Sequence, residues 1–489
     1  MIQADILIVG AGITGTALAR ELSRYDVSAI VIDRGADIAE GATKANSGIV
    51  HAGYDAVPGT NKAKFNVAGA AMYASLCSSL GVPYHKCGAL VVGFDANDRS
   101  TLEHLLARGI KNGVQGLSLL SHNEVLRKEP SLNPQVMCAL DVPESAIVSP
   151  YELAYALADD AASNSVSFRF EQNLQSVRFN DDGRWEVETD QGIKYICRVF
   201  VNCSGASGAF IHNMIAETKL HISHRRGQYY LLDRSAHQPF SRTVFQCPSP
   251  LGKGVLVSPT VHGNMIIGPN AEDIADGSDT ATTAEGLSEV ISKALRIWPD
   301  LSVRTNITNF SGIRAHLETD DFMIGPVPGA DGAFEAIGIE SPGLSSAPAV
   351  ASALSAEIVS YLDLKKKKKT VSYSLPPKPF REMNDDERHE AVLNNSLYGN
   401  IVCRCETVTE AEIIHAIHRP VGARTIDGIK RRCRAGMGRC QGGFCSPRVA
   451  QIISEQTGIP LIEVTKDGGN SRILSGTISS FLKGDCIHD

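Results

Sequence analysis

The chain has 489 residues, of which 43% are hydrophobic, 21% charged and 6% aromatic. These proportions are typical of a globular protein with a large core, and the length predicts two or three domains. They exclude a collagen-like, disordered or disulfide-scaffold chain. The net charge of −7 argues against a nucleic-acid partner. No apolar run reaches the ~18 residues of a transmembrane helix.

The first 35 residues have the pattern of a β-α-β unit. Residues 4–10 form a continuous apolar run, which is typical of a strand buried on both faces. Residues 14–25 carry apolar side chains at helical spacing, and residues 28–33 predict a second buried strand that ends in an acid. Parallel strands joined by a helix predict an α/β sheet.

Strand-like and helical segments alternate through the next 270 residues. Apolar runs that predict strands stand at 90–94, 166–170, 184–189, 199–205, 229–233, 254–259 and 264–269. Helical patterns stand near 61–80, 100–112, 151–164 and 283–296. We therefore expect an α/β fold: a Rossmann-type nucleotide-binding domain with an inserted substrate domain built on a mixed or antiparallel sheet.

The C-terminal part divides into three further segments. Residues 1–362 are expected to form one interleaved module, followed by a linker over 363–399 that contains five consecutive lysines. We interpret the lysines as a solvated spacer, with membrane or nucleic-acid contact as the alternative. Five of the twelve cysteines fall between 403 and 445 and define a small helical domain over 400–455. The tail, 456–489, is too short for a domain and is expected to pack on another part.

A glycine motif lies between the first strand and helix. Gly10 permits a tight turn, Gly12 lets the backbone approach a pyrophosphate, and Gly15 lets the helix pack on the strand. Asp33 ends the next strand and is placed to accept from a ribose hydroxyl. With strand, helix and acid in this order, the motif predicts a dinucleotide site rather than a simple glycine turn.

Other small-residue segments favour FAD over NAD as the dinucleotide. They occur at 41–55, 201–208 and 341–346, and the last of them precedes a helix. Contacts spread over about 340 residues suit a long, buried flavin. No second glycine motif of this type indicates a separate NAD site.

At this point the sequence resembles a known family. The matching segments are ANSGIVHAGYD (45–55), RRGQYYLLD (225–233), GKGVLVSPTVHGNMIIGPNAED (252–273), FSGIRA (310–315) and SPGLSSAPAV (341–350). They resemble the D-amino-acid-oxidase-type flavoproteins, and most of all their soluble glycerol-3-phosphate oxidase/dehydrogenase branch. L-2-hydroxyglutarate oxidases share the HAG and SP elements and are the nearest competitor.

The resemblance implies a substrate site with a base and an anion clamp. His51 falls on the family's catalytic histidine and would take the hydroxyl proton. Arg314 and Lys253 would contact the substrate phosphate, and Ser341 would also contact the substrate. Each residue also has an alternative without a role in catalysis or binding. These are a structural histidine for His51, a surface ion pair for Arg314, a solvated turn lysine for Lys253 and a helix cap for Ser341.

The motif and the resemblance together imply the following FAD-binding residues: Gly10, Gly12, Gly15, Asp33, Arg34, Thr43, Asn46, Ser47, Val177, Gly205, Gly312, Gly343, Leu344 and Ser345.

Four cysteines form a second constellation, as a C-x-C pair and, 34 residues later, a C-x4-C pair: Cys403, Cys405, Cys440 and Cys445. Two thiol pairs can hold an iron–sulfur cluster or zinc, and the C-x-C spacing favours a [2Fe–2S] cluster over zinc or an inert thiol group. The segment resembles the bacterioferritin-associated-ferredoxin-like [2Fe–2S] domain. The spacing in that family leaves Cys433 as a bystander.

The basic run IKRRCRAGMGR (429–439) surrounds the predicted cluster loop. It predicts either a solvated face that offsets the charge of the cluster or a docking surface for an acidic electron-transfer partner. A disulfide is disfavoured because a C-x-C ring would be strained. Free thiolates, and an N-terminus without a secretion signal, indicate a cytoplasmic setting.

The combined expectation is an FAD-dependent dehydrogenase that oxidises sn-glycerol 3-phosphate and passes electrons through a [2Fe–2S] cluster to a protein acceptor. One alternative is a flavin enzyme acting on L-2-hydroxyglutarate or an amino acid. Another is an electron-transfer subunit or redox sensor without a substrate of its own.

Overall fold

The computed structural model describes residues 1–234, 238–248, 254–476 and 478. Its strands are β1 (Ile2–Val9), β2 (Ala29–Ile32), β3 (Ile49–Val50), β4 (Tyr84–His85), β5 (Ala89–Gly93), β6 (Ser118–Ser121), β7 (Cys138–Val142), β8 (Ala146–Val148), β9 (Ser167–Arg169), β10 (Leu174–Phe179), β11 (Trp185–Thr189), β12 (Lys194–Asn202), β13 (Ile222–Leu232), β14 (Thr243–Gln246), β15 (Leu256–Pro259), β16 (Met265–Gly268), β17 (Glu272–Ile274), β18 (Asn306–Leu317), β19 (Met323–Pro326), β20 (Ala333–Ile337), β21 (Ile401–Cys403) and β22 (Val408–Thr409). Its helices are α1 (Ile13–Leu22), α2 (Asn61–Leu80), α3 (Ala96–Lys111), α4 (His122–Lys128), α5 (Pro150–Ser163), α6 (Gly208–Ile215), α7 (Ala284–Ile297), α8 (Gly343–Leu362), α9 (Asp385–Asn394), α10 (Glu410–His418), α11 (Ile426–Cys433) and α12 (Ser446–Thr457).

The first sheet is the parallel one that the N-terminal pattern predicts. β1 lies between β12 and β2, both parallel to it, and β9 and β20 extend the parallel set at either side. The hairpin β10–β11 and strand β19 add antiparallel edges. Val9 pairs with both Asn202 and Ile32, so three strands end at the same edge of the sheet. Such an edge is where ligands bind in open α/β sheets.

The two faces of β1 carry different layers. Ile6 and Ile8 are fully buried against α1, α2, α5 and α8, while Leu7 lies in the opposite core with the β10–β11 hairpin and α6. A strand buried on both faces needs the continuous apolar run that the sequence shows. On α2, Gly69 leaves room for the backbone of Ser345, since a Cβ there would overlap its carbonyl oxygen. The start of α8 is thereby held close to the sheet edge.

The second sheet is inserted and mainly antiparallel, in the order β17-β13-β16-β15-β14-β5-β7-β6, with β18 paired to β13. One parallel pair, β14 with β5, makes it mixed. Helix α7 covers one face through Val290, Ala294 and Ile297. The α/β class with an inserted mixed sheet is therefore confirmed.

A small helical module follows at the C-terminus. α10, α11 and α12 pack around a separate apolar core that includes Ile413, Ile429 and Ile453, and β21 pairs with β22 at its edge. α10 begins in a capping box: Thr409 Oγ1 accepts from Glu412 N, and the Glu412 carboxylate accepts from Thr409 N. This confirms the expected small helical domain.

The segment 363–399 follows the surface but is not featureless. Lys367 N donates to Arg24 O, so the lysine run is fastened to the end of α1. α9 lies in the same segment and has no buried residue. Beyond α12, Asp467 of the tail pairs with Lys44 of the first module. None of the helices in the described ranges is both long and apolar enough to cross a membrane.

The turn between β1 and α1 generates a stability prediction. A Cβ at Gly15 would overlap the carbonyl oxygen of Gly10, which is backbone and cannot move aside cheaply. Gly15→Ala should therefore lower the free energy of unfolding by about 3 kcal/mol or more, measured by urea denaturation. Gly399→Ala is the control because its Cβ would meet only Val392, at 3.8 Å. Equal midpoints for the two variants would contradict this packing.

Candidate active site and cluster site

A cavity of about 2260 Å³ lies where the carboxyl ends of β1, β2 and β12 face the inserted sheet. Pockets for one small ligand usually measure ~300–1,000 Å³, so this cavity has room for an extended cofactor and a substrate together. Its walls come from the first sheet, the inserted sheet and the C-terminal module.

The glycine motif forms one end of the cavity. Gly10 has φ +109°, and a Cβ there would overlap the carbonyl oxygen of Cys203 on the strand next to it. Gly12 is the N-cap of α1, has no side-chain cap and lines the cavity, whereas Gly15 packs beneath the turn. The N-terminus of α1 thus faces the cavity, where it is suited to bind a pyrophosphate.

Asp33 and Thr43 hold this turn from two sides. Ala11 N donates to Asp33 Oδ2 at 2.6 Å, and Gly35 N donates to Oδ1 at 2.7 Å. Burial raises the pKa of the Asp33 carboxyl. Ile13 N donates to Thr43 Oγ1 at 3.0 Å, which joins the start of α1 to the segment that follows β2.

The segment after Thr43 forms a rigid lining. Asn46 Nδ2 donates to Ala42 O and Thr43 O, and Gly48 N donates back to Asn46 Oδ1 at 2.8 Å. On β18, Gly312 lets the inserted sheet approach, since a Cβ there would overlap the carbonyl oxygen of Ala45. The two sheets therefore meet directly at this lining.

The cavity brings together most of the residues expected to bind a cofactor. Those that line it are Gly10, Gly12, Asp33, Arg34, Thr43, Asn46, Ser47, Gly205, Gly312, Gly343 and Leu344. Gly15, Val177 and Ser345 are not among the lining residues. Val177 lies on β10 and is buried in the core, whereas its neighbour Ser176 lines the cavity. A glycine cradle at a helix N-terminus and a long cavity between two sheets fit FAD.

His51 directly follows β3 and is 9% exposed. Its backbone is fixed twice: His51 N donates to Ser345 Oγ at 2.7 Å, and Asn66 Nδ2 donates to His51 O. Its ring lies 5.6 Å from that of Phe245, measured between centroids. A buried imidazole on a fixed backbone, in the cavity wall, can act as a general base. Ser345 supports the position of His51.

Arg314 projects from β18 into the same cavity. Its Nη2 donates to Asn270 O at 3.4 Å, and within the described residues no carboxylate forms an ion pair with it. Burial raises the pKa of the neighbouring Tyr229 phenol, and the Arg314 guanidinium opposes that shift. A half-buried guanidinium without an acidic partner is suited to an anionic ligand.

Ser341 also lines the cavity, next to a charged cluster. Its neighbour Glu340 pairs with Lys62 Nζ at 2.9 Å and with His316 Nδ1 at 2.9 Å. Burial acts to raise the pKa of Glu340, but Lys62 and His316 bring it below its usual value. Lys253, the other predicted phosphate ligand, lies outside the described residues.

The four expected cluster cysteines converge as two pairs. Cys403 ends β21 and Cys445 precedes α12, and both are buried; the Cys445 thiol donates to Cys403 and lowers its pKa to about 6 against the effect of burial. Cys405 and Cys440 form the outer pair, with sulfur atoms 3.7 Å apart and Cys405 exposed.

This arrangement fits two metal ions better than one. Tetrahedral zinc would bring all four sulfur atoms about 3.8 Å from one another. Here the sulfur atoms form two hydrogen-bonded pairs, Cys405 with Cys440 at 3.7 Å and Cys403 with Cys445. One inner and one outer pair instead offer two thiolates to each iron of a [2Fe–2S] cluster.

Backbone N–H groups point at these sulfur atoms, most of them from the glycine-rich loop 434–445. Gly436 and Glu406 donate to Cys403, and Gly442 and Phe444 donate to Cys440. The loop requires its glycines, because a Cβ at Gly438 would overlap that of Cys405. Such hydrogen bonds stabilise thiolates and set the potential of a bound cluster.

The basic run 429–439 differs from its prediction. We expected a solvated face or a docking surface, but the side chains of Arg431, Arg432 and Arg434 are 7%, 0% and 9% exposed. Arg431 and Arg432 pair with Glu40 and Asp37 of the first module, whereas Arg434 pairs with Glu406 of the C-terminal module. Within the run, only Arg439 is largely exposed. The interpretation as a solvated face is therefore wrong for these three arginines.

The cavity wall contributed by the C-terminal module was missed by the sequence analysis. Its members are Asp427, Lys430, Arg431, Arg434, Met437 and Gln441. Met437 lies in the loop that carries Cys440, and Tyr151 of α5 donates to its sulfur at 3.6 Å. The cluster loop thus borders the cofactor cavity. Only the basic run hinted at this contact, and its acidic partners are distant in sequence.

Two family models match separate parts of the chain. The model described as FAD dependent oxidoreductase matches residues 5–357. The model described as BFD-like [2Fe-2S] binding domain matches residues 401–455.

The similar proteins extend these matches. A glycerol 3-phosphate dehydrogenase of Caloramator mitchellensis is 44% identical over 97% of this chain and 99% of its own. A glycerol 3-phosphate oxidase of Mycoplasma genitalium is 28% identical over 75% of this chain and 96% of its own. The structure of L-alpha-glycerophosphate oxidase from Mycoplasma pneumoniae with FAD bound superposes with a TM-score of 0.73, at 28% identity, over 77% of this chain and 100% of that one.

The thiol geometry generates a second prediction. Cys405→Ala and Cys440→Ala should each lose the cluster, because each removes one of the two thiolates of the outer pair. Cys433→Ala is the control: its sulfur donates to Ile429 O, and burial raises its pKa to about 12. Iron content per chain and visible circular dichroism give the readout. Loss of the cluster in the Cys433 variant would contradict the assignment.

Proposed function

Because the chain belongs to the FAD dependent oxidoreductase family and carries a BFD-like [2Fe-2S] binding domain, we propose that it oxidises sn-glycerol 3-phosphate to dihydroxyacetone phosphate. Its cofactors are FAD and a [2Fe–2S] cluster. The proposal for the substrate is supported by the 44% identity to a glycerol 3-phosphate dehydrogenase over nearly the whole chain. The structural observation that carries an anionic substrate is Arg314, a cavity arginine that forms no ion pair with a described carboxylate.

The phosphate of the substrate would lie against Arg314. A guanidinium presents a rigid fork that matches two oxygen atoms of a phosphate or carboxylate. Two other cavity cations near the inserted sheet are already paired with acids, Arg225 with Asp273 and Lys62 with Glu340, and Arg108 donates to the backbone oxygen of Asp55 at 2.7 Å. Lys253, which the family resemblance places at the same phosphate, would supply the second cation that a dianion requires.

His51 would remove the hydroxyl proton of the secondary alcohol. Its ring is held by Phe245 on one side and by the backbone bonds to Ser345 and Asn66. An imidazole held in this way is suited to act as a general base. The carbon then becomes a ketone when its hydrogen leaves with the electron pair.

The chain's own residues position substrate and cofactors. Bound FAD supplies the hydride acceptor and the cluster supplies one-electron transfer. The glycine turn and the segment 42–48 orient the cofactor, and Arg314 orients the substrate anion so that its alcohol faces His51.

Two rival functions remain distinguishable from this one. L-2-hydroxyglutarate or an amino acid would need a site for a second carboxylate or for an amine, and Arg314 alone does not select among anions. An electron-transfer subunit or redox sensor would need no substrate base, whereas His51 is buried in the cavity wall with its backbone fixed. A protein that oxidises a small alcohol would use both residues.

Electrons would leave through the outer thiol pair. Cys405 is exposed, and Phe444, in the same loop as Cys440, is 88% exposed. Arg404 is exposed beside them. An apolar side chain next to a cation is suited to an acidic protein acceptor that docks close to the cluster. The described cysteines are free thiols, which supports a reducing, cytoplasmic setting.

Anaerobic titration of the visible spectrum tests the reaction. Glycerol 3-phosphate should bleach the flavin and then reduce the cluster, while L-2-hydroxyglutarate and amino acids should not. His51→Gln should retain FAD, but its flavin should bleach more slowly by a factor of about 100 or more. The reason is that the hydroxyl proton of the substrate loses its acceptor.

His418→Gln is the matched control, since His418 is exposed and bonds to Gln456 away from the cavity. Bleaching at the normal rate in His51→Gln would remove His51 from the mechanism. Bleaching by L-2-hydroxyglutarate but not by glycerol 3-phosphate would overturn the proposed substrate.

The acceptor surface makes a separate prediction. Phe444→Asp should slow reduction of an acidic protein acceptor, such as cytochrome b5, about tenfold through like-charge repulsion and lost apolar contact. Reduction of ferricyanide, which needs no docking, should stay the same. Leu393→Asp is the control, because Leu393 is 73% exposed on α9. Equal effects on both acceptors in the Phe444 variant would count against a docking surface.

A further inference from the structure

The contact between the cofactor-binding segment 35–44 and helix α11 is made of buried charges. The segment connects β2 to the lining that contains Thr43, and it carries Asp37 and Glu40. Helix α11 of the cluster domain presents Arg431 and Arg432 to it. Charges buried in this way require partners, because their solvation by water has been removed.

Arg432 is bound to Asp37 by two parallel hydrogen bonds. Its Nη1 donates to Asp37 Oδ2 and its Nη2 donates to Oδ1 at 2.7 Å. Nη2 also donates to Val421 O at 2.8 Å, and the guanidinium lies 4.1 Å from the ring centre of Tyr155. Ile38 N donates to the same Asp37 carboxylate at 2.8 Å. The ion pair therefore fixes the backbone of the segment as well as its side chain.

Arg431 joins three elements at one guanidinium. Its Nη2 donates to Glu40 Oε1, its Nη1 donates to Asp467 at 3.1 Å, and its Nε donates to the hydroxyl of Tyr155 at 2.8 Å. Asp467 in turn pairs with Lys44 Nζ at 3.0 Å. The segment is thus held at both Glu40 and Lys44 by residues of the C-terminal part.

Two glycines allow this close approach. A Cβ at Gly428 of α11 would lie 2.8 Å from Asp37 Oδ2. A Cβ at Gly468 would overlap that of Ala36. Both small residues lie on the C-terminal side of the contact, and both face the same segment, so the cluster domain is shaped to fit it.

We propose that the cluster domain is part of the FAD site, and that Arg431 and Arg432 are positioning residues that hold segment 35–44 in its FAD-binding conformation. Without them, Asp37 and Glu40 would be buried without their partners, and the segment would have to rearrange toward water. Thr43, whose hydroxyl accepts from Ile13 N at the pyrophosphate turn, would move with it. The proposal depends on FAD binding and not on the identity of the substrate.

The test measures FAD retention in the full-length protein. Arg432→Gln removes the bidentate contact with Asp37. Arg431→Lys removes the three-way contact of Arg431 but keeps the positive charge. Free-FAD fluorescence after dilution should show release about tenfold faster or more, which corresponds to about 1.4 kcal/mol. Hydrogen exchange should rise in residues 34–47, while iron content and the visible circular dichroism of the cluster stay the same.

Arg448→Gln is the matched control, because Arg448 pairs with Glu410 inside the cluster domain. It should change neither FAD release nor exchange in 34–47. Asp37→Asn approaches the contact from the other side and should resemble Arg432→Gln. Normal FAD release in variants with an intact cluster would overturn the proposal. So would joint loss of the cluster and FAD with exchange raised throughout the cluster domain, since that result indicates general unfolding.

Discussion

Buried charge on both sides of one contact determines how the two halves of the molecule sit together. Asp37 and Glu40 on one half and Arg431 and Arg432 on the other are each costly to bury alone. Removing one partner of such a pair typically costs about 3–5 kcal/mol, because the remaining charge stays desolvated. The pairs therefore specify a single arrangement, and that arrangement places the cluster loop in the wall of the cofactor cavity.

Local patterns in the sequence predicted the elements that depend on neighbouring residues. The expected helix over 61–80 is observed as Asn61–Leu80, and the glycine turn lies between β1 and α1 as expected. The thiol pairs were recognisable because the spacing of ligands is itself local. In the candidate site, His51 and Arg314 line one cavity, although His51 follows β3 and Arg314 lies on β18, far along the chain. The family resemblance, rather than periodicity, pointed to both of them.

Contacts between distant parts of the chain could not be predicted in this way. Arg432 and Asp37 are 395 residues apart, and nothing near either residue indicates its partner. A run of basic residues is usually solvated, so the basic run 429–439 predicted an exposed surface. Lys367 is another case, since its backbone bond to Arg24 fastens a segment that composition alone describes as a spacer.

The two thiol pairs are buried to different extents, so the two sides of the predicted cluster have different surroundings. Cys403 and Cys445 are buried, whereas Cys405 faces solvent beside Phe444. The two irons of a bound cluster would consequently have unequal surroundings, with more water and a higher local dielectric at the outer one. Cys405 and Cys440 would hold the iron that lies nearer to solvent, and the cluster would supply one-electron transfer at that side of the domain. The face that an acceptor must approach would then be set by the burial of the thiols and not by the acceptor.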